Sequence, residues 1–171
     1  MSAADTALSI SATSELEAVA YAQAREIFAM LSLQAPFYEP VSRGSVDIMA
    51  VIDRSGSMAG SKLALVKQTL TFVVDQLKDG DRLGIVTFDD GVETPLPLTT
   101  QDEGGKLRTL SAITAIRTGG STNLCGGLVQ GILHMRERER VADVSSVLVF
   151  TDGQANVGIV TADGIQKAMR A

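Results

Sequence analysis

The chain has 171 residues, 45% of them hydrophobic and 20% charged, enough for one globular domain with its own core and too apolar for a disordered segment. A net charge of -5 and a pI near 4.8 argue against nucleic acid as the main partner, because phosphate binding needs a basic stripe. One cysteine, Cys125, and one histidine, His134, exclude an intrachain disulfide and a four-ligand Cys/His zinc site, and no apolar run reaches the length of about 18 residues that membrane insertion needs.

Residues 1–45 read as an N-terminal extension and linker. Leu8 to Ser11 alternate like a short strand, and Ser14 with Glu17 has the spacing of a capping box that would start a helix through Leu16, Val19 and Ala20. Phe28 to Gln34 is expected to be a strand closed by Ala35-Pro36, and Tyr38 to Gly44 a linker.

Residues 46–171 have a regular pattern. Val46 to Ile52 is a nearly continuous apolar run, interrupted by Asp47, which fits a buried parallel strand. The loop Asp53 to Gly60 follows, and Ser61 is placed to N-cap a helix whose apolar face is Leu63, Val66, Leu70, Val73, Val74 and Leu77, ending at Gly80. Arg82 to Phe88 is the second strand, and Gly91 to Leu98 the third, marked as an edge by Pro95 and Pro97. Leu107, Leu110, Ile113 and Ile116 outline a helix that Gly119 and Gly120 break; Leu124, Leu128, Ile132 and Met135 outline another. Val144 to Thr151 is a further buried strand and Thr161 to Ala171 a last helix. The alternating charges from Arg136 to Arg140 read as the solvated end of a helix. Strands alternating with helices give an α/β fold with a doubly wound, mostly parallel sheet.

Open sheets of this kind bind ligands at the carboxyl ends of their strands. Three polar segments fall there: Asp53-Arg54-Ser55-Gly56-Ser57, Gly119-Gly120-Ser121-Thr122-Asn123 and Thr151-Asp152-Gly153. Asp53, Ser55 and Ser57 alternate, so an extended loop would point all three side chains one way. With Thr122 and Asp152 they offer two carboxylates and three hydroxyls. Such an all-oxygen set, completed by water, suits a hard cation such as Mg²⁺. Neutral hydroxyls leave that cation electrophilic, with room for a carboxylate from a partner.

These three segments resemble the metal-ion-dependent adhesion site of the von Willebrand factor type A domain, and the resemblance covers the chain from about Val46 onward. It implies a Rossmann-like fold with Mg²⁺ or Mn²⁺ at the top of the sheet. It also implies direct metal binding by Ser55, Ser57 and Thr122, and contact through water for Asp53 and Asp152. The segment Phe28 to Pro36 followed by Val46-Asp47-Ile48 is similar to the entry of intracellular type A domains of plant and protist proteins, some of them RING ubiquitin ligases. No RING cysteine cluster stands in this sequence, so ligase activity is not expected. From Val46 the pattern supplies four strands, whereas the family implies a fifth and a sixth. The fold is therefore expected to be C-terminally incomplete, with an open sheet edge through which the chain could self-associate.

The function expected is metal-dependent protein binding without catalysis, in which a partner's Asp or Glu completes the coordination. A structural or assembly module with an inert metal site is the alternative, and a Mg²⁺-dependent hydrolase a weaker one. Gly56-Ser57-Met58-Ala59-Gly60-Ser61-Lys62 departs from a phosphate loop in both spacing and order. Ser55 stands where a dehalogenase-like phosphatase needs its second aspartate. His134 and Cys125 read as structural residues, and Asp89 and Asp90 as turn formers before Gly91. The single cysteine suits a reducing compartment, and Met1 to Ser14 lacks the basic segment and apolar run of a secretory signal, so a cytoplasmic, intracellular location is expected.

Overall fold

A computed structural model describes residues 9–16, 26–35, 43–153 and 155–170. The chain divides into two compact units, residues 1–43 and 44–171.

In the first unit, β1 (Ser9–Ser14) pairs antiparallel with β2 (Ala29–Gln34), Ser9 opposite Gln34 and Ser14 opposite Ala29. Both expected strands are present. Ser14, however, closes β1, and its hydroxyl donates to the Leu16 carbonyl, where the capping-box spacing had it starting a helix. Val19 and Ala20 of that expected helix lie outside the described residues.

The second unit is built on a four-stranded sheet of order β5-β4-β3-β6. Its strands are β3 (Val46–Asp53), β4 (Arg82–Phe88), β5 (Val92–Thr100) and β6 (Val144–Phe150). β3 runs parallel to β4 and to β6, while β5 returns antiparallel along β4 as an edge. The proline-marked third strand is thus an edge as expected. The helices are α1 (Ser61–Gln76), α2 (Glu103–Ala115), α3 (Leu124–Arg136) and α4 (Ala162–Arg170).

Alternation along β3 sorts the core into two layers. Ala50 and Ile52 pack with Leu63, Leu70 and Val74 of α1, Leu83 and Ile85 of β4 and Ile113 of α2. Met49 and Val51 pack on the opposite side with Val86, Phe88 and Met135 of α3. Helices on both faces bury β3 from Met49 to Asp53, which is why its sequence is a nearly continuous apolar run. Each fully buried Leu, Ile or Val in these layers contributes roughly 1.5–3 kcal/mol relative to exposure.

Two helix boundaries differ from expectation. α1 starts at Ser61 with Gly60 as its cap, and no side chain caps the end. Gly60 has φ +74°, the left-handed region open to glycine, so backbone conformation turns the chain into the helix in place of a serine hydroxyl. α1 also stops at Gln76, before Gly80. The chain then turns, with the Lys78 and Val46 N–H groups donating to opposite oxygens of Asp81. In α2 the buried residues are Gly105, Thr109 and Ile113, and Leu107 is exposed, so the three-residue spacing pointed slightly off the true face.

The charges after α3 are not all solvated. Asp47 is fully buried and is gripped by Arg82 (2.7 Å) and Arg138 (3.0 Å), with the Ala142 N–H as a further donor. Arg140 donates to the Gly80 carbonyl. Burial alone would push the Asp47 carboxyl up, but hydrogen bonds from Arg82, Ala142 and Arg138 outweigh it and hold the group below its ordinary value of 3.8. This network ties the amino ends of β3 and β4 to the segment entering β6.

Candidate metal centre

The register of the parallel strands brings Asp53 beside Phe88 and Ile52 beside Phe150, so the loops after β3, β4 and β6 emerge at one end of the sheet. Four of the five residues expected from the sequence form one hydrogen-bonded chain there. Asp53 ends β3 with no exposed surface. Its Oδ1 accepts the Ser55 N–H (2.8 Å), and its Oδ2 accepts the Thr151 hydroxyl (2.7 Å). The Ser55 and Ser57 hydroxyls lie 3.1 Å apart. Ser57 in turn donates to Asp152 Oδ1 (3.1 Å), whose other oxygen accepts from Lys62 Nζ (2.7 Å).

The serines do not meet by extended alternation. A single 3₁₀ turn, Gly56–Met58, follows Ser55, with the Met58 N–H donating to the Ser55 carbonyl. That turn folds Ser57 back toward Ser55.

Thr122 arrives by another route. Its loop is laced to the Asp53 loop by backbone hydrogen bonds, Gly119 N–H to the Arg54 carbonyl (2.7 Å) and Gly56 N–H to the Gly120 carbonyl (2.8 Å). The Thr122 N–H donates to Asn156 Oδ1 (2.7 Å), and its carbonyl accepts from the Asn156 and Val157 N–H groups. Thr122 is buried.

The paired glycines permit this close approach. A Cβ on Gly119 would sit 1.9 Å from Asp89 Oδ2, and one on Gly120 would sit 1.9 Å from Asp90 Oδ2. Asp89 also accepts the Gly91 N–H, the expected turn contact, and Asp90 accepts the Ser121 N–H. Arg54 sits between these loops, its Nε 3.1 Å from Asp89 and its Nη2 2.8 Å from Glu93. The Nε–Asp89 contact is an ion pair without hydrogen-bond alignment. Burial works against the Arg54 charge, and Glu93 and Asp89 more than restore it.

Sequence reasoning missed several of these supports. Lys62, Thr151, Asn156 and Arg54 hold the five residues in place, yet their partners lie up to 98 residues away. The only local signals were Thr151 beside Asp152 and Arg54 between Asp53 and Ser55. His134 is engaged in side-chain hydrogen bonds and Cys125 is buried, the environments read from the sequence. The imidazole Nε2 lies within hydrogen-bond distance of Thr94 and Gln130, and the thiol is buried and free.

The donor set fits a hard cation. Asp53 is a buried carboxylate with no ion-pair partner among the described residues, and the loop that follows it brings the Ser55 and Ser57 hydroxyls within 3.1 Å of each other. No group of three or more His, Cys, Asp or Glu is assembled to hold a metal among the described residues, so an ion here would rely on hydroxyls. The Asp152 carboxyl is held below its ordinary range, first by the Lys62 hydrogen bond and then by Ser57.

A model of the von Willebrand factor type A domain matches residues 47–171. The chain belongs to the von Willebrand factor type A domain family. Among relatives of this type A domain is the E3 ubiquitin-protein ligase WAV3 of Arabidopsis thaliana, 31% identical over 123 residues that take in 71% of this chain and 17% of WAV3. Another is the inter-alpha-trypsin inhibitor heavy chain H3 of Pongo abelii, 35% identical over 132 residues, 72% of this chain and 15% of that protein. The type A domain thus spans less than a fifth of the length of these relatives. Its fold is that of a von Willebrand factor type A protein from Catenulispora acidiphila, with a TM-score of 0.64 at 20% identity over 99% of this chain and 39% of that one. It is also similar to proximal thread matrix protein 1 from the mussel byssus, a structure with a zinc-occupied MIDAS motif (TM-score 0.57, 26% identity, 74% of this chain and 33% of that one). Among the described residues, no helix is long and apolar enough to cross a membrane.

Proposed function

We propose that the domain binds a protein partner through a divalent cation, Mg²⁺ or Mn²⁺, at Asp53, Ser55, Ser57, Thr122 and Asp152. The observation that carries this reading is the continuous chain from Asp53 through Ser55 and Ser57 to Asp152, anchored on a buried carboxylate without a cationic partner among the described residues. The mussel protein's zinc-occupied motif supports a divalent ion at such a site within the family. When bound, the ion would supply an electrophilic centre for an Asp or Glu carboxylate of the partner. In this reading Ser55, Ser57 and Thr122 offer neutral lone pairs, so the site keeps an appetite for one more anion. Asp53 and Asp152 act through water, and Thr151 and Ser55 fix the Asp53 carboxylate in place.

The domain is read as a binding module and not as an enzyme. The one imidazole of the chain is engaged by Thr94 and Gln130, away from the five residues. The ligase activity in the name of WAV3 belongs to that much longer protein. The free, buried Cys125 supports an intracellular setting for this chain. Self-association through β6, an edge strand with Val144 and Val149 exposed, belongs to the same reading and is checked by sedimentation over a range of concentrations.

One observation favours the alternative of a purely structural site: Lys62 already neutralises Asp152 by direct contact. Partner capture separates the two. The proposal predicts a protein retained in Mg²⁺, released by chelator and lost on removal of one of its acidic residues. A partner indifferent to chelator would favour the structural site.

A further inference from the structure

We infer that Lys62 is an internal counter-cation that shares Asp152 with the divalent ion and sets how tightly that ion is held. This inference rests on the metal-site reading above.

Lys62 is the second residue of α1, fixed in place by the buried Leu63 next to it. Its ammonium lies 2.7 Å from Asp152 Oδ2, while Ser57 engages Oδ1. Both oxygens of Asp152 are therefore engaged without any ion. The Lys62 side chain is 54% exposed, so its four-carbon stem can swing the ammonium into water at little cost. Asp53, by contrast, has no such partner among the described residues. The two carboxylates are thus unequal: among the described residues Asp152 has an ion-pair partner and Asp53 has none.

A positive charge paired with Asp152 would repel a dication bound at the same carboxylate and compete with it for the same oxygen. In the high dielectric of this rim the effect on affinity is on the order of three- to tenfold, and salt screens it. The opposite role is equally definite: if Lys62 served mainly to orient Asp152, its loss would weaken metal binding. The sign of the change separates the two.

The experiment is calorimetric titration with Mg²⁺ and Mn²⁺ of the parent chain, Lys62→Gln, Lys62→Arg and the Ser55→Ala/Ser57→Ala double variant. Thermal melts with and without metal run alongside. Lys62→Gln should bind about three- to tenfold more tightly and show the larger metal-induced rise in melting temperature. Lys62→Arg, which keeps the charge, should stay near the parent. The gain in Lys62→Gln should shrink as salt is raised. Unchanged or weaker binding by Lys62→Gln, with the parent titrating and the double serine variant silent, would overturn the role of Lys62 and leave the metal site standing. A folded parent that takes up neither ion would overturn both.

Discussion

The Thr151 hydroxyl donates to Asp53 Oδ2 across 2.7 Å, joining the residue that ends β3 to the residue that follows β6. With the Ser55 N–H on the other oxygen, it fixes the plane of a buried carboxylate before any ligand arrives. Thr151→Val keeps the shape and removes the donor. We expect it to cost about 1–2 kcal/mol in a urea melt, the usual penalty for a buried acceptor left short. Mg²⁺ affinity should fall with it, because Asp53 would be free to rotate. Full metal affinity in Thr151→Val would show that the hydroxyl serves the fold alone.

Gly119 tests the lacing between loops. Its Cβ would land on Asp89 Oδ2, the same carboxylate that pairs with Arg54 Nε. Gly119→Ala must displace that carboxylate or lengthen the Gly119–Arg54 backbone bond. The expected result is a stability loss of about 1–3 kcal/mol, typical of overpacking, and weaker metal binding. Unchanged calorimetry and melting would mean that the loop yields without moving Thr122.

The opposite end of the sheet should behave independently. Asp47→Asn removes a buried charge held by Arg82 and Arg138 and leaves two arginines facing an amide. It should cost about 3 kcal/mol, as breaking a buried ion pair usually does, while leaving metal affinity in the folded protein near the parent's.

The same residue gives the acid response a sign. The folded Asp47 carboxyl titrates below its unfolded value of about 3.8. Its stabilising contribution is therefore complete above that value and is lost as pH falls through the depressed folded value. Urea midpoints between pH 5 and pH 2 should fall steeply in the parent and less steeply in Asp47→Asn. Parallel curves would place the acid sensitivity elsewhere.

The sequence made the frame readable where one interaction dominates. β3 is buried on both faces, so hydrophobicity alone marks it, and Pro95 and Pro97 mark β5 as an edge. Four of the five candidate site residues stood out because short polar segments follow strand ends, and Thr122 because its glycine-led polar loop precedes a helix. What escaped were partners distant in sequence. Nothing near Arg138 tells that it reaches Asp47, 91 residues earlier, or that Lys62 meets Asp152 after 90. Local rules also misplaced the start of α1, because the left-handed Gly60 does the turning that Ser61 was expected to cap. The meeting of Ser55 and Ser57 was anticipated, but by an extended loop; the 3₁₀ turn that achieves it carries no strong sequence signature.

The most direct test of the metal site is a calorimetric titration of the parent with Mg²⁺ beside Asp53→Asn. The asparagine keeps an oxygen to accept the Ser55 N–H and loses the charge together with the second acceptor that takes the Thr151 hydroxyl. The account predicts saturable binding by the parent, with a melting temperature that rises with Mg²⁺ by mass action, about 2.7 kcal/mol of stabilisation at a hundred times Kd. Asp53→Asn should fold and bind at least tenfold more weakly. A folded parent that shows no heat and no shift with either Mg²⁺ or Mn²⁺, or an Asp53→Asn variant that binds as well as the parent, would contradict it.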